Sequence, residues 1–560
     1  MPNSSNFVPL PNSEHRGARA EKLAAAFVAQ PLAATEQMLI IEIDLILRRR
    51  PDGPPFPDLT AMGGQLPRDR KYMTHEEFEA AYGADPADVE VVRNFAREFG
   101  LTHVNSDLAT RIVTLSGTIA AISRALNVDV AYFSEGPRRY RAYRGPIYVP
   151  ASLDKIVLYV LGIDDYVAPY PMAKTVNPAE WALLDLITQI HTPRQVADVY
   201  NFPKATGKGE CIGMLEFGGG YDPQRVHAYF AWQGMETPAI VDVPVAGGAN
   251  RPGWIPYLDA EVYLDIEVAG AAAPDAKLAV YFAPCNARGF VQGFAAAIHD
   301  RVNRPSVVFC TWGFAETKWA VVPYGMNAVD DVIQDAALLG ITVSVASGDF
   351  GATAGIYDGE PHLYFPASSP HVLSVGGTTL YSFAGSRVAE YTWNRVSTSG
   401  GASTGGFSDY FPLPEYQQLP NVKQAQAQIV PWRQPNEDPT PGRAVPDVSA
   451  LGDPTTGYLI LMDHGFSLTA GTSAATPLWC ALIARINELL GGRIGYINPL
   501  LYKSLGEEPA FRDILLGNNL YYKAGPGWDA CTGWGSPDGT RLLEALNPQS
   551  DPAKSSVAQA

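Results

Sequence analysis

One serine, Ser473, is the first residue of this sequence to consider as a chemical group. Ser473 lies in the run Ala470-Gly-Thr-Ser-Ala-Ala-Thr-Pro477. A serine hydroxyl is a weak nucleophile until a neighbouring base accepts its proton. Histidine is the commonest such base, but the nine histidines of this chain are scattered and none is followed by Gly-Thr. If Ser473 is a nucleophile, another kind of side chain must act as its base.

Glu261 and Asp265 are the candidates for that role. Residues four apart occupy one face of a helix, and most such acidic pairs are simply solvated. Here the segment Glu261–Ala273 is too apolar and too rich in small residues for an exposed helix. Two buried acids are costly unless they share a proton, and a carboxyl beside another carboxyl can act as a general base. We therefore predict Glu261 as the base on Ser473 and Asp265 as the group that orients and tunes it, with the two titrating together.

The context of Ser473 admits two interpretations. Gly-Thr-Ser is a common sequence at the start of a helix, where serine serves as a cap. The apolar run 478–490 that follows indicates a long buried helix. Its N-terminus would favour negative charge developing near Ser473, which supports the catalytic interpretation.

Taken together, these motifs resemble the sedolisins, the serine-carboxyl peptidases, and in particular their kumamolisin-like branch. The serine motif is similar to the nucleophile turn of subtilisin-type peptidases, whose His-Gly-Thr motif is missing here. The resemblance covers nearly the whole chain. It implies an α/β fold: a subtilisin-like parallel sheet flanked by helices, preceded by a small α/β propeptide domain with ferredoxin-like character. It also implies a serine-type endopeptidase that is made as a zymogen and acts in acid.

The resemblance assigns a third acid, Asp349, to the oxyanion site. The run Val343–Gly351 predicts a buried strand that ends in a tight Gly-Asp turn. Aspartate is common in turns for structural reasons alone. In subtilisin-type folds an asparagine usually supplies the oxyanion donor at this position, whereas sedolisins have aspartate. A protonated Asp349 could donate to an oxyanion and an ionised one would repel it, so this residue also predicts activity in acid.

The resemblance assigns three further residues to positions behind the acid pair or on the wall of the substrate cleft. Glu216 and Trp312 match residues that extend the hydrogen-bond chain behind the acid pair in the kumamolisin-like branch. Packing is the simpler explanation for Trp312. Tyr364 precedes Phe365-Pro-Ala-Ser368 and is expected to line the pocket for the residue before the cleaved bond.

A calcium site is expected near the C-terminus. Asp513-Ile514 and the run Ala524–Asp529 match the calcium loop of the sedolisins. The resemblance implies ligands from the carboxylates of Asp513 and Asp529 and the backbone carbonyls of Ile514, Gly525 and Gly527. Calcium prefers such oxygen ligands. A Gly-Pro turn with surface acids is the alternative for either half alone. We expect one structural Ca²⁺.

The charge composition of the chain limits the classes of partner that it is expected to bind. The 58 acidic residues exceed the 41 basic residues, which gives a formal charge of −17. Nucleic acids and anionic membranes require a basic face, so neither is expected, and no segment approaches the about 20 apolar residues of a membrane span. Protein or peptide substrates and the chain's own propeptide, as an intramolecular inhibitor, are the expected partners of a monomer. No signal peptide is recognisable; an extracellular location follows from the resemblance only.

The elements that must position these residues fall into two units. In the first we predict strands over 38–48, 111–115 and 128–133 and helices over His75–Tyr82, Pro86–Phe99, 118–126 and 152–161. In the second, apolar strands over 211–217, 279–282, 306–310 and 341–346 alternate with helices, which indicates a parallel sheet. The predicted division is a flexible segment 1–35, a propeptide domain 36–165, a linker with the autocleavage region 166–191, a catalytic domain 192–547 that carries the calcium site, and a disordered tail 548–560.

Two other functions remain open. A tripeptidyl-peptidase of the same family would have a cleft blocked at one end. A catalytically idle relative would act as a binding protein, although the complete set of Glu261, Asp265, Asp349 and Ser473 opposes it.

Overall fold

The computed structural model describes residues 7–13, 28–135, 138–166, 170–175, 190–319, 322, 324–398, 400–429, 442–506 and 509–548. Most of the predicted linker and nearly all of the predicted tail lie outside these residues. The described chain forms an N-terminal α/β unit and a larger α/β unit, with residues 170–175 between them.

The N-terminal unit contains a four-stranded antiparallel sheet. Its spatial order is Thr102–Asp107, Ile112–Thr118, Ile40–Leu47 and Val157–Leu161. The helix Pro86–Phe99 connects the strand Ile40–Leu47 to Thr102–Asp107, and the helix Ile119–Ala125 follows the strand Ile112–Thr118. A β-α-β-β-α-β chain in this order is the ferredoxin-like arrangement, as expected. The helices His75–Tyr82 and Pro86–Phe99 have the bounds predicted from the sequence.

One expectation for this unit was wrong. The predicted helix over 152–161 is a short turn, Ala151–Leu153, followed by the strand Val157–Leu161, which pairs with Ile40–Leu47. A short apolar run with β-branched residues does not distinguish strand from helix until a partner strand is known. The predicted flexible segment 1–35 includes two described strands. Phe7–Pro9 pairs with Tyr148–Pro150, and Val28–Pro31 pairs with Asp129–Glu135.

The larger unit is built on a mainly parallel sheet. Its spatial order is Ile240–Pro244, Lys277–Phe282, Cys211–Glu216, Val307–Cys310, Thr342–Ala346, Leu373–Phe383 and Ser386–Thr392, with Val448–Leu451 also beside Leu373–Phe383. Only the Ser386–Thr392 pairing is antiparallel. Alternate strand residues pack into two separate apolar cores, so both faces of the sheet are covered, as the apolar strands predicted.

Four long helices cover the two faces. We call Pro256–Ala272 the acid helix and Thr472–Leu490 the serine helix; they pack against each other on one face. The helices Ala287–Ile298 and Gly325–Leu338 pack together in the other core. This second pair also contacts the N-terminal sheet.

The remaining described elements are shorter. The other helices are Ala34–Gln37, Leu59–Gly63, Pro193–Val199, Pro223–Trp232, Glu316–Trp319, Pro420–Gln426, Asn498–Leu500 and Gly539–Leu546. The other strands are Arg138–Arg144, Tyr170–Pro171, Lys174–Thr175, Trp312–Ala315, Tyr364–Phe365, Gly406–Pro412, Gly442–Val445, Tyr458–Met462, Gly465–Ala470, Phe511–Arg512 and Ser536–Pro537.

Ion pairs join the two units. The Arg288 guanidinium lies 2.7 Å from Asp44 and 2.9 Å from Glu42 on the strand Ile40–Leu47. Arg49 lies 2.7 Å from the buried Asp335 of the helix Gly325–Leu338. The N-terminal unit therefore rests on the larger one through specific polar contacts.

Candidate active site

Ser473 stands at the first turn of the serine helix, where the strand Gly465–Ala470 turns into it. Gly471 makes this turn at φ +107, a conformation suited to glycine. The Ser473 hydroxyl donates to Glu261 Oε1 on the acid helix, and both side chains are fully buried. No described histidine forms a hydrogen bond with either of them. The predicted serine and carboxylate are therefore in direct contact.

A second group of polar side chains lies behind Glu261. Thr311 Oγ1 donates to Asp265 Oδ2 at 2.8 Å, and the Thr311 side chain also contacts Glu261. Asp265 interacts with Glu216, whose Oε2 accepts from Trp312 Nε1 at 3.0 Å. Asp265 Oδ1 and Glu216 Oε1 have no donor among the described residues, and neighbouring buried carboxyls repel each other less when one is protonated. Asp265 and Glu216 are therefore a second candidate pair for a shared proton, beside the predicted pair Glu261 and Asp265, which stays a prediction.

Burial and mutual repulsion shift the titration of all three acids. Burial raises the pKa of Glu261 to about 7, against the opposing effect of the Ser473 hydroxyl. Burial, followed by repulsion from Glu261, raises the pKa of Glu216 to about 8. The pKa of Asp265 is raised well above its usual range by burial and then by both glutamates. The site therefore binds protons far more readily than exposed carboxylates do.

Asp349 lies on the other side of Ser473, after the strand Thr342–Ala346. Its Oδ1 accepts from the backbone N–H and the hydroxyl of Thr472, each at 2.8 Å, whereas Oδ2 has no partner among the described residues. Burial raises the pKa of Asp349 to about 7, and the charge of Lys174 opposes the rise. Below that pH the side chain is a neutral carboxyl with a proton available to donate.

Residues 170–175 run between these groups and form two short strands, Tyr170–Pro171 and Lys174–Thr175. Tyr170 and Pro171 pair with Gly313 and Trp312. Lys174 and Thr175 pair with Ala470, the first residue of the serine motif, and with Thr469. The segment thus adds a strand on each side of Ser473, which is how extended peptides bind to sheet edges.

The peptide bond between Met172 and Ala173 is the part of this segment that faces the candidate residues. The Ala173 N–H donates to Glu261 Oε2 at 2.7 Å. A methyl group placed on Gly471 would lie 2.3 Å from the Met172 carbonyl oxygen and 2.6 Å from Asp349 Oδ2. The carbonyl and the free carboxyl oxygen therefore approach the same point. The amide nitrogen faces Glu261 and the carbonyl oxygen faces the Asp349 side.

Sequence reasoning missed two residues of this site. Thr472 was quoted only as part of the serine motif, yet it orients Asp349. Thr311 immediately precedes the candidate Trp312 and follows the carboxyl end of the strand Val307–Cys310, where open α/β sheets bind ligands. That position was the available signal for Thr311.

Comparisons with known proteins agree with this geometry. A family model described as Pro-kumamolisin, activation domain, matches residues 64–166, and one described as Subtilase family matches residues 245–535. Kumamolisin of Bacillus sp. (strain MN-32) is 40% identical over 526 residues, which cover 92% of this chain and 93% of that protein. The chain belongs to the sedolisin family, in its kumamolisin-like branch.

Two further comparisons place this sedolisin among its relatives. Tripeptidyl-peptidase 1 of Mus musculus is 26% identical over 519 residues, 86% of this chain and 87% of that protein. The solved structure of Pseudomonas sedolisin complexed with two molecules of pseudo-iodotyrostatin matches with a TM-score of 0.58 and 28% identity, over 65% of this chain and all 100% of that chain. This sedolisin is accordingly a serine-type peptidase, and its N-terminal unit is a propeptide domain.

The walls of the sedolisin's cleft include the predicted Tyr364. A methyl group on Gly313 would lie 2.3 Å from Met172 Cε and 3.5 Å from Tyr364 Cβ. Tyr364 and Met172 are thus neighbours, both buried. Beyond Trp312 the cleft widens into a cavity of about 630 Å³, lined by Trp254 and Leu258 of the catalytic unit and by Tyr166 of the propeptide.

The predicted calcium ligands form one loop cluster. Asp513 Oδ2 accepts from the Gly527 N–H at 2.8 Å, and Asp529 Oδ2 accepts from the Gly525 N–H at 3.0 Å. Burial raises the pKa of Asp529 to about 7, with a smaller contribution from repulsion by Asp513. No ion pair joins either carboxylate to a described basic residue. The two interacting carboxylates supply oxygen donors, the kind of ligand that Ca²⁺ prefers.

Other classes of site find little support in the described ranges. No cluster of three or more His, Cys, Asp or Glu side chains there is arranged to hold a metal. No helix within them has the length and apolar character to cross a membrane. All five cysteines are free thiols.

Proposed function

We propose that this sedolisin is the zymogen of an endopeptidase that acts in acid through an acyl-enzyme on Ser473. The contact between the Ser473 hydroxyl and Glu261 Oε1 carries the proposal. In the first step Glu261 accepts the hydroxyl proton and Ser473 attacks the substrate carbonyl. Glu261 then returns the proton to the leaving amine. Water hydrolyses the acyl-enzyme by the reverse sequence of proton transfers.

In this proposal, Asp265 and Glu216 set the charge of Glu261. Trp312 donates to Glu216, which favours the ionised form of Glu216 and leaves the shared proton on Asp265. A neutral Asp265 does not repel Glu261, so ionising the buried Glu261 costs less. Because the pKa of Glu261 is raised to about 7, only the fraction of Glu261 that is ionised in acid accepts the Ser473 proton. Thr311 holds the orientation of the two helix carboxyls.

Asp349 would stabilise the oxyanion. Its free Oδ2 faces the same point as the Met172 carbonyl oxygen, and Thr472 holds the other oxygen. A neutral carboxyl donates a hydrogen bond where negative charge develops, which strengthens the interaction in the transition state.

The course of residues 170–175 favours an endopeptidase over a tripeptidyl-peptidase. The segment continues in both directions from Ser473, and the whole propeptide domain precedes it. The cleft therefore accepts a chain that extends past both ends. We propose that maturation begins with self-cleavage between Met172 and Ala173, within the predicted linker. An extracellular site of action stays a prediction.

A pH profile of the Asp349→Asn variant tests the acid mechanism. Asp349 has a pKa raised to about 7, so it is neutral in acid and ionises as the pH rises through that value. Peptidase activity on a denatured protein should therefore fall towards neutral pH. Asparagine donates without titrating, so Asp349→Asn should lower kcat but shift the decline to higher pH. The shift is expected to be partial, because Asp265 and Glu216 lose their shared proton in the same direction.

The matched variant Asp349→Ala should lose about 10²–10³ in kcat across the acid range, as other oxyanion donors do. Full kcat in Asp349→Ala would contradict the electrostatic basis of the mechanism. An unshifted decline in Asp349→Asn would assign the alkaline limb to another group.

We also propose one structural Ca²⁺ held by Asp513 and Asp529 and by the carbonyls of Ile514, Gly525 and Gly527. The ion would supply positive charge between two carboxylates that otherwise repel each other. Its loss should lower the Tm of the matured enzyme, because a ligand bound only to the native state contributes about 3 kcal/mol when present at 100 times its Kd. Asp513→Ala and Asp529→Ala should reproduce the effect of chelation in calorimetry.

The surface variant Glu415→Ala, in the same unit, is the control and should respond to chelation as the wild type does. An unchanged Tm after exhaustive chelation, with no metal found by elemental analysis, would remove calcium from this site.

A further inference from the structure

The side chain of Lys174 and the ring of Phe350 make a contact that the catalytic steps do not require. Lys174 Nζ lies 3.9 Å from the centroid of the Phe350 ring. A cation within about 6 Å of an aromatic face is attracted by the ring quadrupole. Phe350 immediately follows Asp349, so the contact lies beside the proposed oxyanion site.

The register of residues 170–175 relates this contact to the bond that is proposed to be cleaved. If the bond between Met172 and Ala173 is the one cleaved, Lys174 is the second residue after it. Its backbone pairs with Ala470, the first residue of the serine motif. The strand pairing fixes which side of the cleft receives the Lys174 side chain, because successive side chains of a strand point to opposite faces.

Hydrogen bonds hold the backbone of Phe350 in place on that side. The Phe350 N–H donates to Thr404 Oγ1 at 3.3 Å, and the Phe350 backbone forms a β-bridge with Ala402. Phe350 is nevertheless 38% exposed with the segment in place. An aromatic residue with a hydrogen-bonded backbone and a partly exposed surface is suited to receive a side chain from a ligand.

Asp349 cannot supply this attraction at the working pH. Its charge interacts with Lys174, but a neutral Asp349 is what the oxyanion role requires in acid. The ring quadrupole does not titrate. In acid, therefore, the Phe350 ring is the part of this contact that continues to attract a cation.

We propose that Phe350 is a specificity residue that selects substrates with lysine or arginine at the second position after the cleaved bond. The inference rests on the proposed function. It identifies the substrate class as peptides with a basic residue on the leaving-group side. The zymogen's own Lys174 would be the first example of such a residue.

The test uses the full chain after maturation in acid and two quenched peptides based on residues 170–175. One peptide keeps lysine at the position of Lys174, and the other has norleucine, which has a similar shape without charge. The wild type should show kcat/KM about two- to fivefold higher for the lysine peptide, as exposed cation–π contacts allow. Phe350→Leu should remove this preference, and Phe350→Tyr should keep it. Phe383→Leu, which changes another exposed aromatic residue, is the control.

The outcomes distinguish the role of Phe350 from the proposed function on which it rests. Mass spectrometry of the products must show cleavage before the alanine that corresponds to Ala173. Equal kcat/KM for both peptides in the wild type, or an unchanged preference in Phe350→Leu, would overturn the role of Phe350 alone. Failure of the matured wild type to cleave either peptide would overturn the proposed function and this inference with it.

Discussion

Ser473→Ala should leave the full chain intact in acid, with no cleavage between Met172 and Ala173 and no activity on protein substrates. Removing the nucleophile of a related catalytic arrangement costs on the order of 10⁶ in kcat. The variant should still fold, because the serine helix loses only one hydroxyl and keeps its apolar contacts. Mass spectrometry of the chain after acid incubation measures the first effect, and circular dichroism measures the second.

Ser467→Ala is the matched control. Ser467 lies on the strand Gly465–Ala470 that leads into the same motif, outside the hydrogen bonds of the site, so this variant should mature like the wild type. Normal maturation of purified Ser473→Ala, free of contaminating protease, would contradict the serine assignment.

Glu261→Gln should lower the rate of self-cleavage by about 10²–10⁴, the usual contribution of a general base. Glutamine has the size of glutamate and can still accept from the Ala173 N–H, but it cannot take the Ser473 proton at useful pH. The loss should therefore appear in the rate of the chemical step, with the bound segment still in place. The rate of appearance of the new N-terminus at Ala173 measures it.

Glu267→Gln provides a control on the same helix. Glu267 is buried, its Oε2 accepts from the Leu461 N–H at 2.9 Å, and burial raises its pKa well above the usual range. A neutral amide should replace it with little effect on the rate. Near-wild-type kcat in Glu261→Gln would require another base, and His464, the histidine nearest before the serine motif, would be the first to test although it is exposed.

The separation of roles among the acids explains why this site differs from a simple carboxylate pair. Asp265 interacts with Glu216, and Glu261 contacts Ser473 and the bound peptide. Asp265→Asn should accordingly impair catalysis by changing the charge that Glu261 experiences, which would move the acidic limb of the pH profile. The distinction could be drawn only from the positions of all four side chains.

Local signals in the sequence determined much of the scaffold. The helix His75–Tyr82 begins at a capping box formed by Thr74 and Glu77, and the helix Pro86–Phe99 begins with a capping aspartate and a proline. Such signals act within one or two turns and are readable without a fold. The apolar strands of the larger sheet were likewise predicted close to their observed bounds. The contact of Ser473 with Glu261 followed from the two motifs and the family they resemble.

Only the tertiary structure decided which groups meet across long distances in the chain. The strand Val157–Leu161 needs Ile40–Leu47 as its partner, and the sequence alone favoured a helix there. Thr311 reaches Asp265 because a strand end and a helix face pack together. The register of residues 170–175, and with it the position of the Met172–Ala173 bond, depends on pairing with two separate strands. Pairing and packing between distant segments are properties of the folded chain, since no local propensity encodes the partner.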